Sequence, residues 1–266
     1  MKKTVIFIFS ALIIQISSLS QDDLKEDRTI HFIVRYYSDV DVNFLRKLKN
    51  AAEKAYRDIA NDLHFFREEP WTFDNRACIY VYENRDRYLK ETGMPQWSAG
   101  AADMNRKTVY TYDGAWDVFR YILKHELTHL IFREYVGHNS YIPKWLNEAA
   151  AVYMEQDADR SQRAAQVKDL LESSYIPLKQ LFDNSFTFSE TVDAEGSLTG
   201  TDRVRAFYLE SFSVLYFLIE RYSAFKFHLL CRDMREGKDF DEAFFDNYRS
   251  IKDIDDLENK WKEFYK

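Results

Sequence analysis

The sequence predicts an α+β fold, with a mixed α/β lobe at about residues 21–115 and a mainly helical lobe at about residues 116–266. Before residue 113, short runs of β-branched and aromatic residues flank one long helical pattern, which is typical of a small sheet packed with a helix. After residue 116, apolar residues recur at helical spacing to the end of the chain. The length of 266 residues fits one domain built from two lobes, and 46% hydrophobic residues are enough for a sizeable core.

The first lobe is predicted to hold three strands and one long helix. The strands are residues 30–37, 77–82 and 108–112, and a short helical stretch through Tyr88 follows the second strand. The long helix, 41–63, has its apolar residues on one face, which indicates an amphipathic helix. These residues are Phe44, Leu45, Leu48, Ala52, Ala55, Tyr56 and Ile59.

The second lobe is predicted to consist of helices. Its first helix, 116–135, ends before Gly137, a residue type that is favoured just after a helix. A polar stretch at 183–202 interrupts the lobe and is either the rim of a functional site or a disordered surface loop. The other predicted helices are 146–154, 163–172, 204–222, 224–234, 240–245 and 257–265.

Charge and cysteine content limit the function classes. The net charge of −7 argues against a nucleic-acid partner, which normally requires a basic surface. Cys78 and Cys231 lie in apolar surroundings and lack the spacing of a metal site. We favour two buried free thiols over a disulfide, which an oxidising compartment would permit.

The N-terminus has the pattern of a secretory signal peptide in residues 1–20. Lys2 and Lys3 precede an apolar run, and Ser18 and Ser20 occupy the small-residue positions of a cleavage site before Gln21. A membrane anchor is the alternative, but the apolar run at 5–14 is shorter than the roughly 20 residues that span a bilayer. We therefore expect an exported protein, periplasmic or extracellular, with no stable membrane anchor. Cleavage leaves 35 basic and 44 acidic residues, a net charge of −9.

The residues that point to chemistry lie in the first helix of the second lobe. His125, Glu126 and His129 form an HExxH motif. Residues i and i+4 share one helix face, so the two histidines can offer nitrogens to one Zn²⁺. Glu126 lies beside that ion without binding it and can act as general base. The alternative is an ordinary exposed helix that happens to carry these residues. We expect the helix to be amphipathic, with apolar anchors at Val118, Ile122, Leu127, Leu130 and Ile131.

A catalytic zinc needs a third protein ligand and one open position. Glu148 is the best candidate, because eighteen residues separate it from His129 and allow the chain to turn back. Small residues at 149–151 would let two helices approach closely. Glu155 is a second candidate ligand, and a solvent-exposed Glu near a helix start is the alternative for Glu148.

These segments resemble the gluzincin zinc peptidases, and more closely the bacterial peptidase MA-like domain proteins. There, a Pro-x-Trp-Leu-x-Glu segment supplies the third ligand, and Pro143, Trp145, Leu146 and Glu148 match it. The resemblance covers roughly residues 30–266 and implies a thermolysin-like catalytic domain with one Zn²⁺ per chain. Softer similarities lie at 98–102, 108–110 and 208–213 and at Gly237, Phe240, Ala243 and Trp261.

The resemblance also implies roles for residues outside the metal motif. Tyr208 corresponds to a tyrosine on a family helix and would be the oxyanion donor, although a Tyr on an apolar helix is usually part of the core. Ala99, Gly100, Ala101 and Ala102 would form a strand along the cleft, whose free edge could pair with an extended peptide. The expected partner is thus a peptide or protein substrate.

Three departures from the family pattern qualify these expectations. Ala149 stands where the family commonly has Gly. The segment 100–105 lacks the Glu with which aminopeptidases of this clan hold a free amino end, so we expect an endopeptidase. Val152 stands where thermolysin-like enzymes have Asp, so the groups behind the zinc ligands must differ.

The sequence therefore predicts an exported zinc metallopeptidase. A zinc-stabilised binding or scaffold protein without activity is the alternative, and a zinc hydrolase of non-peptide bonds is a weaker one. The presence of Glu126 favours the enzyme, because a structural site has no use for a base beside the metal. The sequence does not predict peptide specificity or oligomeric state.

Overall fold

The structure is a computed structural model that describes residues 24–66, 70–155, 160–173, 175–183, 191–192, 198–199 and 201–266. The predicted signal peptide, 1–20, lies outside the described residues, as does most of the polar stretch 183–202. The main sheet contains β1 (Leu24–Arg28), β2 (Phe32–Tyr37), β3 (Ala77–Tyr82), β4 (Gly100–Asp103) and β5 (Thr108–Tyr112), and Thr191–Val192 pairs with Leu198–Thr199. The helices are α1 (Val42–Asp62), α2 (Arg85–Thr92), α3 (Trp116–Val136), α4 (Lys144–Met154), α5 (Arg160–Ser173), α6 (Leu178–Leu181), α7 (Thr201–Tyr222), α8 (Ala224–Arg235), α9 (Phe240–Asn247) and α10 (Ile254–Phe264).

The predicted α+β class is confirmed: a small mixed sheet is followed by a mostly helical C-terminal region. The described residues divide into two compact units. The sheet unit comprises 24–66, 70–135 and 154–155, and the helical unit comprises 136–153 and the described residues from 160 onward.

The sheet of the first unit has the strand order β1-β2-β3-β5-β4. Strands β2, β3 and β5 run parallel in the centre, while β1 and β4 pair antiparallel at the two edges. One face of the central strands is fully buried, with Val34, Ile79 and Val109 side by side in register. In the part of the chain that the structure describes, β4 pairs on one side only and forms an edge of the main sheet.

Strand β1 was not predicted. Its sequence, LKEDR, has neither β-branched nor aromatic residues, and among the described strands it pairs with β2 alone. Its charged side chains find partners after pairing: Asp27 binds Lys49 at 2.6 Å and Glu26 binds Arg35 at 3.2 Å. An edge strand that is stabilised by such tertiary contacts lacks the alternating pattern that identifies strands.

The helical unit is organised around α7 and aromatic contacts. Phe212, Val214, Leu215 and Leu218 are fully buried on α7. The indole nitrogen of Trp261 on α10 donates to Ser213 Oγ at 2.9 Å, which ties the C-terminal helix to α7.

None of the helices in the described part of the chain combines the length and apolar character that crossing a bilayer requires.

Both cysteines are free. Cys231 is fully buried, as expected, whereas Cys78 is only half-buried. Its strand places it on the sheet face opposite Ile79, and that face is less well covered. Burial raises the pKa of the Cys78 thiol to about 11, so this thiol stays protonated at neutral pH.

Candidate metal centre

Helix α3 carries the HExxH motif and is buried on all sides over residues 122–132. The amphipathic helix predicted from the sequence is therefore wrong for this stretch. Val118, expected to anchor the helix, is 40% exposed, whereas Phe119 is fully buried. A helix that is buried all round belongs to the interior of a fold and holds its side chains rigidly.

The two histidines of α3 point toward one another. His125 and His129 are both fully buried, and their Nε2 atoms are 3.1 Å apart. Two nitrogens bound to one tetrahedral Zn²⁺ at about 2.0–2.1 Å would lie about 3.3 Å apart. The spacing of the pair therefore fits a shared metal ion.

Glu148 completes a group of three side chains that could hold a metal ion. One ligand atom from each of His125, His129 and Glu148 lies within 4.8 Å of the others, and all three residues are buried. Two imidazoles and one carboxylate are the donor set that Zn²⁺ accepts in catalytic sites. Burial of an ionisable set of this kind is costly without a compensating charge, which favours a bound cation.

Helix α4 positions Glu148 by means of its first turn. Trp145 is buried and stacks on Phe182, with ring centroids 4.3 Å apart and an interplanar angle of 7°. Glu148 follows one turn later, and Ala149, Ala150 and Ala151 behind it are all fully buried. The small side chains allow close packing along this helix.

Glu155 is not a member of the group of three, although the sequence offered it as a second candidate ligand. Its Oε1 atom is instead 3.0 Å from Nδ1 of His125, on the ring edge away from His129. Sequence reasoning left the partners of the histidines unnamed. In the sequence, Glu155 is an acid seven residues after Glu148, and this spacing does not indicate its contact with His125.

Glu126 is 1% exposed and lies one residue beyond His125. Its negative charge reaches Tyr88 on α2: burial is the main cause that raises the pKa of the Tyr88 phenol, and Glu126 adds to it. The Tyr88 hydroxyl is 2.6 Å from Ser98 Oγ, just before β4. No sequence pattern predicted that Tyr88 lies in this neighbourhood.

Strand β4 packs closely against α3, and Gly100 makes this packing possible. A Cβ atom at Gly100 would lie 2.4 Å from Cε2 of Phe119, which is far inside contact distance. Phe119 is buried on α3, six residues before His125. The strand predicted to bind substrate thus runs beside the helix that carries the histidines.

Two side-chain hydroxyls hold the start of this strand. Ser98 Oγ donates to the carbonyl of Gly100 at 3.1 Å, and Thr111 Oγ1 donates to the carbonyl of Ala99 at 2.8 Å. Ala99 and Ala101 are buried, and Ala102 is half-buried. Substrate binding by Ala99, Gly100, Ala101 and Ala102 stays a prediction.

Tyr208 lies on α7 and is partly buried, in edge-to-face contact with Phe207 at 5.6 Å. Its role as oxyanion donor stays a prediction, as do the roles of His125, His129 and Glu148 as ligands and of Glu126 as base.

A comparison with protein families agrees with this chemistry, whereas a comparison with curated proteins adds nothing. No curated protein matches the chain. The family model of the Peptidase MA superfamily matches residues 72–266, which include α3, α4 and the whole group of three. The match covers well over half of the 266 residues and contains the buried His-His-Glu group, so the chain belongs to the Peptidase MA superfamily.

Proposed function

We propose that this protein is an exported zinc-dependent endopeptidase. The observation that carries the proposal is the buried His-His-Glu group with Glu126, also buried, next to His125 on the same helix. A ligand set suffices for a structural zinc site, which has no use for a general base beside the metal. This combination favours an enzyme over a zinc-stabilised scaffold.

In this proposal, His125, His129 and Glu148 hold one Zn²⁺. When bound, the ion supplies Lewis acidity that polarises the scissile carbonyl and makes water easier to deprotonate. Glu126 accepts a proton from the attacking water and delivers it to the leaving amine, a role worth about 10²–10⁴-fold in rate. Tyr208 donates a hydrogen bond to the developing oxyanion.

Substrate binding is assigned to the edge strand β4. Its unpaired edge offers backbone groups to an extended peptide, and the small side chains at 99–102 let the substrate backbone come close. The chain lacks the Glu with which aminopeptidases of the clan hold a free amino end, so cleavage inside a chain is proposed.

The first experiment measures zinc and cleavage in the same samples. Purified protein that begins at Gln21 should hold about one Zn²⁺ per chain and cleave casein, and a chelator should stop both. His129→Ala should lose stoichiometric zinc and cleavage together. Zinc binding without cleavage of any protein substrate would favour the scaffold alternative, and full zinc content in His129→Ala would rule out the site.

A second experiment tests endopeptidase action. Fluorescence-quenched peptides with acetylated and amidated ends should be cleaved as well as the same peptides with free ends. If only peptides with a free amino end are cleaved, the protein is an aminopeptidase despite its lack of the usual Glu.

Export is proposed from residues 1–20. Protein recovered from outside the cytoplasm should begin at or near Gln21 by N-terminal sequencing. An intact Met1 on exported protein would remove the signal-peptide proposal.

A further inference from the structure

Glu155 has a contact that none of the roles above explains. It directly follows α4, and its Oε1 atom is 3.0 Å from Nδ1 of His125. The two side chains are 17% and 1% exposed, so the contact is largely shielded from water. A side chain at the surface end of a helix could have turned to solvent, but this one is turned inward.

The contact determines which nitrogen of His125 carries hydrogen. A carboxylate only accepts hydrogen bonds, so Nδ1 of His125 donates to Glu155. The neutral ring then has no hydrogen on Nε2, whose lone pair faces Nε2 of His129 at 3.1 Å. This is the tautomer that a histidine needs to bind a metal through Nε2.

The chain segment 144–155 supplies two acids with different contacts. Glu148 lies on α4, and Glu155 directly follows the last residue of this helix, Met154. The first acid belongs to the group of three, and the second contacts the back of a histidine in that group.

We propose that Glu155 is a positioning residue that holds His125 in the metal-binding tautomer and orientation. It touches neither substrate nor metal and acts only through His125. The inference rests on the proposed function only in taking His125 as a zinc ligand, and it holds equally for an enzyme and for a zinc-stabilised scaffold.

The chain contains a matched control. Nδ1 of His31 is 2.6 Å from Oε2 of Glu53, and both side chains are 14% exposed. This is also a histidine–carboxylate pair within the sheet unit, but the His31 ring stacks on Tyr56 and belongs to no metal group among the described residues. Glu53→Gln thus changes the same kind of contact without changing the proposed site.

The test compares Glu155→Leu, Glu155→Gln and Glu53→Gln by zinc affinity, measured in competition with a chromophoric chelator. Glu155→Leu has no acceptor and should lose about 10–100-fold in affinity, the usual effect of removing such a partner. Glu155→Gln keeps an acceptor oxygen at nearly the same volume, so it should bind zinc clearly more tightly than Glu155→Leu. Glu53→Gln should bind like the wild type.

A second readout needs neither zinc nor activity. Long-range ¹H–¹⁵N spectra of the metal-free protein should show hydrogen on Nδ1 of His125 in the wild type and in Glu155→Gln, and a shifted or mixed tautomer in Glu155→Leu. If Glu155→Leu fails to fold, the spectrum and zinc affinity of Glu155→Gln still test the proposal. Hydrogen on Nε2 of His125 in Glu155→Gln, or a loss of zinc affinity as large as 100-fold, would contradict positioning by an acceptor. Unchanged tautomer and affinity in Glu155→Leu would overturn the proposal.

The two proposals can fail separately. If the wild type binds zinc but cleaves no peptide, the proposed function fails while the role of Glu155 stands. If cleavage is normal in the wild type and zinc affinity is normal in Glu155→Leu, only the role of Glu155 fails.

Discussion

Two buried acidic side chains, Glu148 in the metal group and Glu210 on α7, have different surroundings. In the metal group, Glu148 is 2% exposed, and its carboxylate lies with two imidazoles whose nitrogens converge. On α7, Glu210 is fully buried, and its Oε1 accepts the backbone N–H of Ile176 at 2.6 Å. Burial raises the pKa of Glu210 to about 8, so it remains protonated at neutral pH.

This difference shows under which conditions a buried acidic side chain indicates a metal ligand. Glu210 binds a proton, and no cation is needed, because no other ligand atom of the described residues forms a metal-binding group with it. In the α3–α4 group, three donors converge, and one proton cannot serve all of them. Convergence, rather than burial alone, distinguishes the candidate metal centre.

The largest expected effect separates the two acids near the metal. Glu126→Gln keeps the side-chain volume but cannot accept a proton, so cleavage should fall by about 10²-fold or more while zinc content stays normal. Glu148→Gln replaces an anionic ligand with a neutral one, so zinc affinity should fall first and cleavage with it. Zinc by elemental analysis and initial rates with one quenched peptide measure both effects.

Each result of this pair is decisive. Equal zinc loss in both variants would mean that the assignment of Glu126 as base and Glu148 as ligand is wrong. Normal cleavage in a zinc-loaded Glu126→Gln protein would contradict the mechanism.

A smaller effect concerns stability. A ligand that binds only the folded state stabilises it by about 4 kcal/mol at 1,000 times its Kd. Zinc should therefore raise the free energy of unfolding of the wild type and of Glu210→Gln by the same amount. The free energy of unfolding of His129→Ala should not change with zinc. Urea titrations with and without the metal measure these values. If zinc did not stabilise Glu210→Gln, the two buried acids Glu148 and Glu210 would not be independent.

The smallest effect is the pH dependence at Glu210. Its folded pKa of about 8 lies above the value of 4.5 expected when it is exposed. Between these values the unfolded chain releases this proton and the folded chain keeps it, so the stability that protonation provides is complete below pH 4.5 and declines as the pH rises toward 8.

Glu210→Gln has no such proton. Its stability advantage over the wild type should grow by about 1 kcal/mol per pH unit between pH 5 and 8 and then level off. Urea midpoints at five pH values would measure this slope. A difference between the two proteins that does not change with pH would mean that Glu210 is ionised in the folded state.

Local sequence patterns predicted most of the elements. Strands β3 and β5 occur where runs of β-branched and aromatic residues stand, and α1 and α3 begin within one residue of their predicted starts. Helix α1 follows local rules because its apolar residues recur on one face at a regular period, and β3 and β5 follow them because β-branched and aromatic residues favour strands. Strand β1 has no such period, since its stability comes from pairing with β2.

The sequence also predicted one part of the candidate site and missed another. The spacing of His125 and His129 implies a shared helix face whatever the rest of the fold does, and the structure has both on α3 with their Nε2 atoms 3.1 Å apart. The contact of His125 with Glu155 joins residues thirty positions apart. The sequence does not show where the side chains of His125 and Glu155 point, so this contact could not be predicted.

By itself, the sequence determined the α+β class, the helix that carries HExxH and the candidate third acid, because these follow from periodicity and spacing along one chain. Only the tertiary structure decided that β4 is an edge strand fitted to Phe119 through Gly100, that α3 is buried on all sides, and that Glu155 contacts His125 while Glu210 keeps a proton. Burial and long-range hydrogen bonds depend on what surrounds a residue in space, and neighbours in the sequence do not specify that surrounding.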